Sequence, residues 1–326
     1  MKLLFVVHRY VPFEGGSEFY VRDMAEEMLH RGHDVTVLTH EHQGDQNGVK
    51  VSNDYVTILN QKWDMIFVHG GDVVSQDVVH YNAEIFPRID VPVCYMLIKP
   101  SESVACMNGL KWHPYIAYSS QLDMDFIKKH GVQHKARRIR HGIQIPESLS
   151  LSAVDQPAYY ISAGGFWPHK AMQPLADAWA NSDLLYELHL YGYGAFENIP
   201  KVTDPRIKIF AGKSKQEVLD AISGSQGYIM NSYEEGYGLV LLEAMSMFVP
   251  WFARSGAGAA DELSEYGVTY KDESELISFI HEDKKPNQGR MGAFDHFVTN
   301  HTIKQTCNDL EDIIYEYHGW NLYHKP

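Results

Sequence analysis

The strongest constraint on the fold is a repeated unit. A short, continuously apolar run of strand length ends in glycine or polar residues and is followed by a helical pattern. KLLFVVH is the first such run. Its lack of polar alternation suits a parallel strand covered on both faces. The loop RYVPFEGGSE then leads into EFYVRDMAEEMLHRGH, whose apolar residues recur at helical spacing as far as Gly32. DVTVLTH, WDMIFVHGG, VPVCYMLIK and PYIAYSS follow, then a helical segment near LDMDFIKKHG and a strand at ARRIRHGI. Such βαβ repetition predicts an α/β fold with an open, doubly wound sheet, whose ligands sit outside the carboxyl ends of the strands.

The pattern breaks once, at PESLSLSAVDQP (positions 146–157), where Pro and Ser accumulate as in a linker. A second series then runs through AYYISAGGF, YELHLYGYG, IKIFAG, a helix at SKQEVLDAI, GYIMNS and VPWFAR. A chain of 326 residues suits two such domains. The expected division is 1–150, 151–300 and a closing helix within 301–326 that packs back on the N-terminal domain.

Composition removes several classes of function. A hydrophobic content of 44% and a charged content of 21% fit a soluble globular protein. No apolar run approaches the roughly 20 residues of a membrane span. The start, MKLLFVVHRY, meets His8 and Arg9 too soon for a signal peptide, so a cytoplasmic location is expected. Cys94, Cys106 and Cys307 have neither metal-ligand spacing nor a disulfide framework. The net charge of −14 disfavours wholesale coating of nucleic acid or anionic membrane. One segment runs against that average: Lys128–His141, KKHGVQHKARRIRH, holds six Lys/Arg and no acid. It is either a solvated helix end with an edge strand, or a local patch for a phosphate-bearing or nucleic acid acceptor.

The chemistry concentrates in Glu234–Ser246, EEGYGLVLLEAMS. A helix this apolar should be buried, and a buried carboxylate such as Glu243 needs partners. On one continuous helix Glu235 and Glu243 would stand about 12 Å apart. If Gly236 and Gly238 instead form a turn and the helix starts near Leu239, Glu235 folds back over the helix N-terminus. The free N–H groups there favour phosphate, and Glu243 can accept from hydroxyls of the same ligand. Otherwise Glu243 is a buried acid satisfied by backbone or an Arg. Gly192-Tyr193-Gly194 hints at a dinucleotide loop, but position 197 is Glu197 where the third glycine is required, so no dinucleotide cofactor is expected.

The stretch NSYEEGYGLVLLEAMSMFVP resembles the signature of retaining GT-B glycosyltransferases of the GT4 type (glycosyl transferases group 1), with two glutamates bracketing seven residues. Gly15-Gly16, RHGIQIP, SAGGFWPHKA, LHLYGYG and IKIFAGKSKQEVLDAI are similar to that family's other segments in order, so the resemblance spans nearly the whole chain. It implies a GT-B fold, with two Rossmann-like domains whose parallel sheets face a central cleft. It also implies a nucleoside diphosphate sugar donor, taken as UDP-linked, with no cofactor and no metal. Glu243 would hold the ribose hydroxyls and Glu235 the donor sugar, with the amides of Tyr237, Gly238 and Leu239 near the phosphates. Lys170 would neutralise the leaving diphosphate, and Gly15-Gly16 would let backbone approach it.

The departures from the family pattern are specific. Where the family commonly has Arg in the first C-domain loop, this chain has Gly165, so a second phosphate cation comes from Arg254 or Lys213 or is absent. Gly256 and Glu262, in the run after Arg254, are further provisional contacts. The family histidine after VPVCYMLIK is missing; His69 is the candidate catalytic-side contact, or else a structural strand-end residue. Lys99, Lys135, Arg137 and Arg138 are the candidate acceptor contacts. The acceptor is expected to be a glycan or lipid-linked glycan, with hydroxymethylated DNA as the alternative. A third reading is a nucleotide-sugar-binding protein without turnover.

Overall fold

The computed structural model describes residues 1–13, 15–70, 92–98, 100–145 and 159–319. The linker segment and Lys99 therefore lie outside the described residues. The chain divides into two units, Met1–Gln144 with His301–Pro326, and Ile145–Asn300.

The first unit begins with β1 (Lys2–Val6), α1 (Gly16–His30), β2 (Asp34–Leu38), β3 (Gly44–Gln46), β4 (Val49–Ser52) and α2 (Tyr55–Leu59). It continues with β5 (Met65–His69), β6 (Val93–Met96), α3 (Val104–Trp112), β7 (Tyr115–Tyr118), α4 (Gln121–Lys129) and β8 (Ala136–Arg138). The sheet order is β3-β4-β2-β1-β5-β6-β7-β8. All pairings are parallel except β3 with β4. That hairpin has no counterpart in the sequence reading. Asn47 and Gly48 turn it with φ of 54° and 85°, the left-handed pair that tight hairpins favour. The central strands are apolar because both faces are covered. Leu4, Val6, Ile66, Val68 and Tyr95 pack with Trp63, Leu110 and Ile127 in one core.

In the second unit the order is β9 (Tyr159–Gly165), α5 (Met172–Ala180), β10 (Glu187–Tyr193), β11 (Ile207–Ala211), α6 (Lys215–Ser223), β12 (Gly227–Met230) and α7 (Leu239–Ser246). Then come β13 (Trp251–Arg254), β14 (Val268–Tyr270), α8 (Glu273–His281) and α9 (Gly289–Asn300). Its six strands run β11-β10-β9-β12-β13-β14, all parallel. Tyr160, Leu188, Leu190, Ile229 and Phe252 meet Leu175, Trp179, Leu276 and Ile280 in its core. The order reverses direction between β9 and β12, the switch point at which open sheets bind ligands.

The last helix, α10 (Ile303–His318), belongs to the first unit. Backbone bonds between Ile143 and the His301 and Ile303 backbones start the return. Arg31 then donates to Asn308 (2.9 Å), Glu311 (3.0 Å) and the Lys304 carbonyl (2.8 Å). The three cysteines are free, buried thiols. Among the described residues no helix is long and apolar enough to cross a membrane.

Candidate functional site

The site of the second unit is built where β9 and β12 end. Helix α7 starts at Leu239, after Gly238 in the left-handed region (φ 92°). No side chain caps this N-terminus and its first turn carries no acid, so the free N–H groups and the positive end of the helix dipole favour an anion. The loop before the helix is tightly packed. A Cβ on Gly258 would stand 2.3 Å from the Tyr237 carbonyl oxygen, which accepts a hydrogen bond from the Ala259 amide (2.9 Å).

The turn at Gly236–Gly238 brings Glu235 back to the short turn that follows β9. Its Oε1 accepts from Ser232 Oγ (2.7 Å) and pairs with Lys170 Nζ (2.5 Å). Lys170 ends a short 3-10 turn, and the next residue, Ala171, is left-handed (φ 49°). Two cross-links hold that turn against the strand end of β12. Asn231 Nδ2 donates to the Ala171 carbonyl and the Tyr233 amide donates to the His169 carbonyl, each at 2.8 Å. The cation is thereby held in the loop that follows β9.

Glu243 lies further along α7 and is only 6% exposed. Its Oε1 contacts Lys215 Nζ, while Oε2 is buried with no hydrogen-bond partner among the described residues. Neighbouring Tyr228 is committed elsewhere: it donates to the Ala163 carbonyl (2.8 Å) and accepts from the Ala163 amide (3.2 Å). Burial raises the Tyr228 hydroxyl well above its ordinary pKa, and the charges of Glu243 and Glu235 add to the rise. Lys215 escaped the sequence reading. Its signal was the Ser214–Glu217 capping box, which fixes the start of α6 and hence the origin of the lysine side chain.

Several other candidates stand differently. Arg254 is spent on structure: its guanidinium donates to the Asn231 carbonyl (3.3 Å), the Lys271 carbonyl (2.7 Å), Asn231 Oδ1 (3.2 Å) and Glu273 (2.5 Å). It ties the ends of β12, β13 and β14 together and covers Tyr233. Lys213 pairs with Glu217 along α6 (2.8 Å). At Gly165 a Cβ would lie 2.2 Å from the Trp167 indole nitrogen, so that indole fills the space a longer residue would need. Gly256 is left-handed (φ 82°), and its amide donates to Asp261 (2.9 Å); Glu262 is exposed.

In the first unit, Gly15 is the N-cap of α1 and Gly16 its first residue. A Cβ on Gly16 would meet nothing, whereas one on Gly15 would stand 2.2 Å from the buried Glu18 carboxylate, which pairs with Arg9 (3.1 Å). His69 ends β5 and is 4% exposed; burial pushes its imidazole down to about 4, so it is neutral at pH 7. Its ring meets Tyr20 edge-on, and Tyr20 stacks on His141 with centroids 4.1 Å apart. Lys135 donates to the Leu110 (3.2 Å) and Lys111 (2.9 Å) carbonyls at the end of α3. Arg137 pairs with Glu316 and Arg140 with Asp309, both on α10. Arg138 is exposed. Arg137 and Arg140 are thus neutralised, and Lys135 hydrogen-bonded, inside their own unit.

Residues 158–282 match the family model for glycosyl transferases group 1. The match lies within the second unit and marks it as a glycosyltransferase domain, so the enzymatic class of the chain is transferase. No curated protein sequence matches the chain. Among solved structures, Anabaena HepE in complex with UDP-glucose is similar at 16% identity, over 97% of this chain and 100% of that one, with a TM-score of 0.78. Sucrose-phosphate synthase from Thermosynechococcus elongatus is similar at 13% identity, over 98% and 99%, with a TM-score of 0.75. WaaG, a glycosyltransferase involved in lipopolysaccharide biosynthesis, is similar at 14% identity, over 96% and 99%, with a TM-score of 0.71. At these identities the likeness is one of fold: two parallel-sheet α/β units in the GT-B class.

Proposed function

We propose that this chain is a retaining glycosyltransferase of the GT4 type that needs no metal and moves a sugar from a UDP-linked donor to a hydroxyl of a glycan or lipid-linked glycan. The observation that carries the reading is the pairing of two differently placed glutamates with one anion site. Among the described residues, Glu235 is coupled to Lys170 beside an uncapped helix N-terminus, and Glu243 keeps a buried oxygen without a partner. A phosphate on the helix N-terminus, a ribose on Glu243 and a sugar at Glu235 use all three features at once. The HepE complexes hold UDP, glucose and UDP-glucose, which makes UDP the first donor base to try.

Lys170, with the amides of Tyr237, Gly238 and Leu239, stabilises the diphosphate as the glycosidic bond breaks. The acceptor binds on the first unit, in the cytoplasm. Hydroxymethylated DNA is the weaker acceptor, because Lys135 and Arg137 are engaged within the first unit.

The test is a panel of nucleotide sugars, with and without saccharide acceptors, scored by mass spectrometry for product and by release of nucleoside diphosphate. Transfer with retained anomeric configuration, undiminished by EDTA, is expected. Tight nucleotide binding without turnover on any donor would replace the enzyme reading by a binding protein.

A further inference from the structure

We propose that Lys215 is a positioning residue of the nucleotide site: it holds Glu243 so that one carboxylate oxygen faces the ribose, and so sets the preference for ribose over 2′-deoxyribose. This rests on the nucleotide-sugar reading above. The two oxygens of Glu243 are in unlike states. Oε1 takes the Lys215 ammonium, and Oε2 is buried without a hydrogen-bond partner among the described residues. A buried acceptor left open costs free energy that a ligand donor can recover. The Tyr228 hydroxyl, which feels the charge of Glu243, is already used by the Ala163 backbone.

The lysine is itself fixed. It is the first residue of α6, directly after the Ser214 N-cap, whose side chain and that of Glu217 close a reciprocal capping box. Its side chain is 36% exposed, so it is not sealed from a ligand. An ammonium has three N–H donors. With one on Glu243 Oε1, another can donate to a hydroxyl oxygen beside the one that donates to Oε2. Lysine and carboxylate together then match a vicinal diol, one hydroxyl donating and its neighbour accepting. Sites built this way reject an analogue that lacks a hydroxyl, because a buried polar group is left unmatched.

The experiment compares dissociation constants for the best-bound of UDP, GDP and ADP with those for its 2′-deoxy analogue. The proteins are the wild type, Lys215→Met, Lys215→Arg and Glu243→Ala, with Lys215→Gln replacing the Met variant if that does not fold. Wild type is expected to prefer the ribose form about tenfold or more. Lys215→Met should bring the two constants within about twofold, and Lys215→Arg should keep most of the preference. If Lys215→Met weakens both nucleotides equally and keeps the ratio, the lysine only supports the fold and the proposal fails. Loss of the ratio in Glu243→Ala but not in Lys215→Met leaves the ribose reading intact and removes Lys215 from it. A ratio that survives Glu243→Ala, or no binding of any nucleoside diphosphate, overturns both.

Discussion

At the residue scale, two carboxylates on one short stretch have separate surroundings because a turn comes between them. Glu235 is satisfied by Ser232 and Lys170, whereas among the described residues Glu243 is satisfied on one side only. The expected consequences differ accordingly. Glu243→Ala should raise the dissociation constant for UDP by about 10- to 100-fold, the scale of losing a hydrogen bond to a charged group. Calorimetry checks this, and unchanged affinity removes Glu243 from the site. On the proposed reaction, in which its charge meets the leaving diphosphate, Lys170→Ala should lower kcat by about 100-fold while KM changes much less. Equal losses in affinity and turnover would make Lys170 a ground-state contact instead.

At the scale of elements, α7 depends on how its first residue is reached. Gly238 is left-handed, and a Cβ there would lie 3.0 Å from the Met230 sulfur. Gly238→Ala should cost about 1–2 kcal/mol of stability from the backbone alone. It should also weaken nucleotide binding, because the Leu239 amide moves with the turn. Thermal unfolding with and without UDP measures both, and a variant with wild-type values in each would show that the turn is not constrained. The β3–β4 hairpin gives the opposite lesson about legibility. Its Asn47-Gly48 signal was present in the sequence, yet strands of three and four residues carry too little apolar pattern to stand out.

At the scale of the whole molecule, the first unit carries buried histidines that should make it acid-sensitive. Burial pushes His69 down to about 4 and His113 and His141 to about 3, against 6.5 for an exposed imidazole. The unfolded chain therefore takes up protons that the folded unit refuses. This stability is present above pH 6.5 and is lost as pH falls toward 4. Asp123 acts in the other sense, since burial raises it to about 6 and the folded form is protonated first. The net expectation is a loss of about 3 kcal/mol between pH 7.5 and 5.5, read from urea midpoints; a flat profile would contradict it. The closing helix belongs to the same unit, and Leu310→Ala, at a fully buried position, should cost about 2–5 kcal/mol in unfolding experiments.

The sequence by itself determined the α/β class, the parallel strands and the start of α7. Apolar runs, glycine turns and capping residues act locally and leave local marks. It also singled out Glu235, Glu243 and Lys170 as the residues to watch. Only the tertiary structure decided which charges are available. Arg254, Arg137 and Lys135 look alike in sequence as cations, but each is consumed by partners distant along the chain or by backbone carbonyls. Lys215 went unremarked, yet it reaches a glutamate 28 positions away. Availability depends on pairing across the fold, and pairing distance in space is not written in spacing along the chain.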